Sequence, residues 1–257
     1  MKTQQQIPPQ NKFQYWLNYF KNNENHFDDI FWDGEEKLTP HEIRIISSSI
    51  QQFQKGENSE GKHLIAFAKK IGDQTYLETI KLFIKEEQKH ALVLSKLMKT
   101  NNISRIKSHW IDDVFRGLRK LASLENSIIV LLTAEIIASV YYIALKECSN
   151  SKTLKAICNQ ILLDEEMHIN FQSYTLGQFY KTKSSLNKIF SRYFHRILMT
   201  GTTCMVWLYH WKVLKHGGFP LQRFYKSVFT EYSRSEKMIK EEHLIIRYAI
   251  NARAIQI

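Results

Sequence analysis

The chain has 257 residues, 44% of them apolar, and a formal net charge of +11. This is enough apolar material for one large core, alone or with a short appendage. The three cysteines, Cys148, Cys158 and Cys204, form no CxxC pair, which argues against a disulfide framework or a zinc knuckle and fits a reducing, cytoplasmic setting.

Nine Gly and four Pro, separated by long stretches with neither, predict an all-α protein. The opening "MKTQQQIPPQNK" has no apolar run of the secretory kind. A short helix is expected over Asn11–Lys21. Thr39–Glu42, "TPHE", is a capping box with Pro at the first helical position, and it opens a first bundle helix running to about Ile71. Gly72 and Asp73 then supply a stop and a new N-cap. A second helix runs to about Lys99, and a connector follows to about Gly117, with a short helix expected near Ile111. The third helix covers about Leu118–Cys148. "SNS", Ser149–Ser151, turns the chain into a fourth, ending near Tyr180. A long apolar helix, about Ser185–His216, is stopped by Gly217-Gly218, and Pro220 opens a C-terminal helical segment expected to contain a break. The expected organisation is an N-terminal extension (1–38), a bundle (39–183) and C-terminal helices packed on the same domain (184–257).

The most hydrophobic window, Ser127–Leu145, carries one charge, Glu135, at its centre. A lone carboxylate is costly in the middle of a lipid bilayer, so a bundle core that needs a carboxylate is the preferred reading and no membrane span is expected.

Each of the four bundle helices places a carboxylate on its apolar stripe. The second reads Tyr76, Ile80, Phe83, Glu87, His90, Leu94, Leu97, with steps of four and three. The first carries Glu57 and Glu60, the third Glu135, the fourth Glu165 and His168. The ExxH of Glu87–His90 recurs as Glu165–His168 after 78 residues, and the same offset carries Glu57 onto Glu135. Thirty residues separate Glu57 from Glu87, and thirty separate Glu135 from Glu165, with turns at the midpoints. Equal legs of two antiparallel helices return the chain to the same height, so Glu57, Glu87, His90, Glu135, Glu165 and His168 can meet in one layer. The long connector lets the third helix enter parallel to the second, a single-crossover topology.

Four carboxylates and two imidazoles suit two divalent ions, iron or manganese, since four negative charges balance two M²⁺. Without metal the clustered carboxylates repel and take up protons. Glu86 and Asp164, each just before an ExxH glutamate, are either acceptors for a ligand imidazole N–H or solvated acids. Glu60 is open between an extra ligand, a proton relay and a buried acid paired elsewhere. His63, in a third ExxH with Glu60, lies off the stripe. Phe53, Phe83, Leu131 and Tyr142 are core residues that would also shape a substrate pocket.

The pattern Glu, ExxH, Glu, ExxH over four helices, about Thr39–Tyr180, resembles the ferritin-like diiron-carboxylate superfamily. "KGEN…AFAKK", Lys55–Lys70, is similar to the first bundle helix of rubrerythrins. The resemblance implies a ferritin-like four-helix bundle with one long crossover and extra helices at both ends. It also implies two Fe ions (or Mn, or a mixed pair) on Glu57, Glu87, His90, Glu135, Glu165 and His168, and O₂ or peroxide chemistry. There is no rubredoxin-type CxxC site, and Leu94 stands where the radical Tyr of ribonucleotide reductase subunits resides. Cage ferritins are shorter and acid-lined. What remains resembles small diiron oxidases and oxygenases, among them aldehyde-deformylating, arylamine and transfer-RNA-hydroxylating enzymes.

The resulting expectation is an O₂-activating oxidoreductase with a small organic substrate. Its electrons come from an external donor, such as an acidic ferredoxin attracted by the basic surface. Ferroxidase or iron-storage activity, and an RNA-modifying hydroxylase suited to the positive charge, are the alternatives. Lys188, Arg192 and Arg196, recurring every four residues, are either a solvated face or a docking stripe for an acidic carrier or RNA. The spacing does not specify an oligomeric state.

Overall fold

The computed structural model describes residues 13–28, 30, 32, 37–58, 61–106 and 123–241. Within them the chain is helical, with no strand. In chain order the helices are α1 (Gln14–Asn22), α2 (Pro40–Glu57), α3 (Lys62–Ile71), α4 (Gln74–Thr100), α5 (Leu124–Glu147), α6 (Lys152–Lys181), α7 (Ser185–His216) and α8 (Leu221–Lys240). The expected short helix near Ile111 and the C-terminal segment past Glu241 lie outside the described residues. The third bundle helix begins at Leu124 and not at the expected Leu118, because Ser123 is extended and caps its first turn.

The helix starts are those the sequence encodes. Thr39 and Glu42 close a reciprocal capping box, with Pro40 in the first turn. Asp73, Ser123, Ser151 and Ser184 each accept a backbone N–H three residues on and so cap α4, α5, α6 and α7.

The extent of the first bundle helix is also corrected. The first bundle helix is not continuous from Thr39 to Ile71. It stops at Glu57, and α3 begins after Gly61, whose φ of 59° is left-handed. A Cβ there would also run into the Ile84 side chain, so only glycine fits. The apolar stripe does not carry through: Leu64 and Ala68 are buried in α3, whereas Phe67 is half-buried and Ile71 is exposed. His63 is exposed, as its off-stripe position implies.

Hydrogen bonds at one end of the fold give the helix directions. The Leu38 N–H donates to the side chain of Asn101, just past α4, and Gln54 in α2 bonds the Ala91 carbonyl. Helices α2 and α4 are therefore antiparallel. Glu42, in the first turn of α2, accepts from the N–H of Asn150, just past α5. The ends of α4 and α5 thus both lie beside the start of α2, and the two helices run in the same direction, as the long connector allows. Helix α6 returns against α5.

Helix α5 is long and apolar enough to cross a membrane, and among the described residues it alone is. It is instead wrapped on nearly every side: Ile128, Ile129, Leu132, Ile136, Tyr141 and Leu145 are fully buried. Helix α7 covers α5 and α2, and α8 packs on α6, α5 and α7. Gly217 ends α7 against α5, where a Cβ would collide with the Ala144 carbonyl. Helix α7 is kinked at His210, whose Nδ1 lies 2.8 Å from Ser49 Oγ.

Candidate metal centre

The six residues singled out by spacing converge. Ligand atoms of Glu57, Glu87, His90 and Glu165 lie within 4.8 Å of one another, as do those of Glu87, Glu135, Glu165 and His168. Glu87 and Glu165 belong to both groups, and Glu57 with His90, or Glu135 with His168, complete one group each. Four helices supply them: α2 gives Glu57, α4 the first ExxH pair, α5 Glu135 and α6 the second pair.

His168 Nδ1 lies 3.0 Å from Glu87 Oε1 and 3.5 Å from Glu135 Oε2. His90 Nδ1 lies 3.6 Å from Glu87 Oε1 and 4.0 Å from Glu165 Oε1. Both imidazoles and Glu165 are fully buried. Yet Glu87 Oε1, His90 Nδ1, both Glu165 oxygens and His168 Nδ1 make no hydrogen bond. Buried polar atoms are rarely left so, and here five of them point at one another. Such a convergence of oxygen lone pairs and imidazole nitrogens fits cations.

The outer nitrogens fix the inner ones. Asp164 Oδ2 is 3.0 Å from His90 Nε2, and Glu86 Oε2 is 2.8 Å from His168 Nε2. Each acid therefore serves the imidazole of the other ExxH helix. A carboxylate there holds the proton on Nε2 and leaves the Nδ1 lone pair facing inward. Asp164 and Glu86 are buried, not solvated acids.

The electrostatics are those of a site short of positive charge. Burial, then the neighbouring Glu87 carboxylate, pushes Glu57 well up. Burial and Glu135 do the same to Glu165. Burial would lower His90 and His168, but the surrounding carboxylates outweigh it and raise both. Burial likewise works on Glu87, and the two imidazoles reverse it, drawing that carboxyl down. Protons held in this way are what bound divalent ions displace.

Two further participants, Asn23 and His26, were missed from the sequence, and a third, Tyr142, was expected only as a core and pocket residue. Asn23 Nδ2 donates to Glu86 Oε1 at 2.7 Å and Asp164 Oδ1 at 3.1 Å, bridging the two acids. His26 Nε2 is 2.8 Å from Asp164 Oδ2. Both follow α1, which Trp16 and Phe20 anchor on Phe171, so the N-terminal extension closes one side of the site. Tyr142 Oη donates to Glu57 Oε1 at 2.6 Å; it is a polar partner of the site as well as core. Of the other residues expected to line a pocket, Phe83 packs its ring on His168 with centroids 4.8 Å apart and Phe53 stacks on Tyr141, while Leu131 is half-buried. Nothing in the spacing marked Asn23 or His26. Tyr142 stands on the α5 stripe seven residues past Glu135, where the spacing predicts it beside the site, but the bond from its hydroxyl to Glu57 is not written in that spacing.

Glu60 lies outside the described residues, together with Ser59. Gln172 is described and notable. At 100° per residue it projects between the directions of Glu165 and His168, one turn further along α6. It is fully buried, and neither its Oε1 nor its Nε2 has a hydrogen-bond partner.

No protein-family model, curated protein or solved structure matches this chain.

Proposed function

We propose that the chain is a ferritin-like dinuclear metal oxidoreductase that uses O₂ to oxidise a small organic substrate. The carrying observation is the pair of four-residue groups sharing Glu87 and Glu165. Two divalent ions would satisfy both groups at once, with Glu87 and Glu165 within reach of each. Glu57 and His90 would complete one position, Glu135 and His168 the other. The parallel course of α4 and α5 supports a ferritin-like bundle with one crossover.

Oxygen and nitrogen donors without thiolate favour iron or manganese. When bound, a reduced di-iron pair supplies electrons to dioxygen. For a hydroxylation the balance is substrate C–H plus O₂, two electrons and two protons, giving C–OH and water. An acidic iron–sulfur carrier, attracted to a chain of net charge +11, would supply the two electrons. The chain's own residues hold the site. Glu86 and Asp164 orient the imidazoles, Asn23 ties those acids together, and Tyr142 positions the Glu57 oxygen. Phe20, Phe83 and Phe171 keep water from the His168 side.

Protein reconstituted with Fe²⁺ would be followed by oxygen electrode with a chemical reductant and a reduced ferredoxin. The expected result is saturable O₂ uptake that continues only while electrons are supplied, with iron staying at about two ions per chain. Iron accumulating well past that ratio as mineral would overturn the reading in favour of iron storage. Uptake that depends on added transfer RNA would place the substrate among nucleic acids.

A further inference from the structure

Helix α7 carries an outer face that no other part of the described fold covers. Leu186, Phe190, Tyr193, Ile197, Leu208 and Trp211 are all exposed, Phe190 by 71% and Leu186 by 69%. Their spacing keeps them on one side of the helix. The stripe spans 26 residues, about 38 Å from first to last at 1.5 Å per residue, with Gly201 and Cys204 between its two apolar clusters. The opposite side of α7 is conventional: Met199, Thr203, Val206 and Val213 are buried against the bundle. Monomeric soluble proteins rarely leave an apolar patch this long in water.

The charge that α7 itself carries is of one sign. The 32 residues of α7 include five Lys or Arg and no Asp or Glu. Arg192 is held by Glu236. Arg196, Lys212 and Lys215 are exposed, Arg196 beside Ile197 and the two lysines around Trp211. Lys181 stands just before the helix, and Lys183, also there, is paired with Glu125. An exposed aliphatic and aromatic face flanked by exposed Lys and Arg is the composition of a helix lying in a bilayer interface. Anionic headgroups would meet the Lys and Arg, and the acyl boundary would take the apolar side chains. A second copy of the chain fits less well, because two chains of +11 would bring like-charged edges together.

We propose that α7 is a peripheral membrane-docking helix that seats the protein on an anionic lipid surface. The assignment is separate from the metal chemistry and stands whether or not that reading holds.

The full-length protein would be sedimented with vesicles of phosphatidylcholine containing about one-third phosphatidylglycerol, and with phosphatidylcholine alone. Binding to the anionic vesicles is expected, with weaker binding to the neutral ones. The double variant Phe190→Glu, Ile197→Glu should lose at least about tenfold in vesicle affinity while keeping its helical circular dichroism, since both side chains face water. Raised salt should weaken wild-type binding without abolishing it, because the apolar contact is not screened. Failure of the wild type to bind anionic vesicles, or equal binding by the double variant, would overturn the assignment. So would light scattering that shows a wild-type dimer which the double variant converts to monomer, since the face would then belong to a second copy.

Discussion

Glu86 Oε2 lies 2.8 Å from His168 Nε2, although the two residues are 82 positions apart and belong to different ExxH helices. Asp164 stands in the same relation to His90, at 3.0 Å. The crossing ties α4 to α6 through two buried acid–imidazole contacts. Loss of one acid should loosen an imidazole without removing it. Glu86→Gln and Asp164→Asn are therefore expected to keep the fold but to weaken metal binding about 10- to 100-fold, read by competition with a coloured chelator.

Gln172 puts a full amide in the core with neither end bonded. An unsatisfied buried polar group costs about 1–3 kcal/mol, and Met replaces Gln with similar volume and no such cost. Gln172→Met should raise the unfolding free energy of the metal-free protein by that amount, measured by urea titration. No gain would mean the amide is satisfied in solution.

Glu42 sets an acid limit away from the candidate metal site. Burial raises a carboxyl, but the N–H groups of Thr39 and Asn150 overcome it and hold Glu42 at about 2 instead of 4.5. A group depressed in the folded state adds stability above its unfolded pKa and loses it as pH falls to the folded one. The Glu42 contribution should be complete above about pH 4.5 and disappear toward pH 2. Glu42→Gln should be less stable than wild type near neutrality, and the two should converge at low pH in thermal melts.

The stripe spacing carried a good deal. The capping residues placed α2, α4 and α6 to within a residue or so, because each cap is a local hydrogen bond written in three or four adjacent positions. The six convergent side chains were legible because antiparallel legs of equal length return to one level, and the turns at Gly72 and Asn150 are where the spacing put them. The break after Glu57 was also written in the chain, as the Asn and Gly of "GENSEG". It was overridden by an apolar period that appeared to run through. Asn23 and His26 were invisible for a different reason: their partners are more than sixty residues away, and a loop has no period. The outer face of α7 was hidden too. An apolar helical stripe reads the same whether a neighbour buries it or water meets it, and only packing tells them apart.

The account rests on two ions held by Glu57, Glu87, His90, Glu135, Glu165 and His168, and metal content tests this most directly. Wild-type protein loaded anaerobically with Fe²⁺ and desalted should retain about two iron ions per chain, and Glu135→Ala or His168→Ala should retain about one or none. A folded wild type that retains no metal, or a Glu135→Ala variant that still holds two ions, would contradict it.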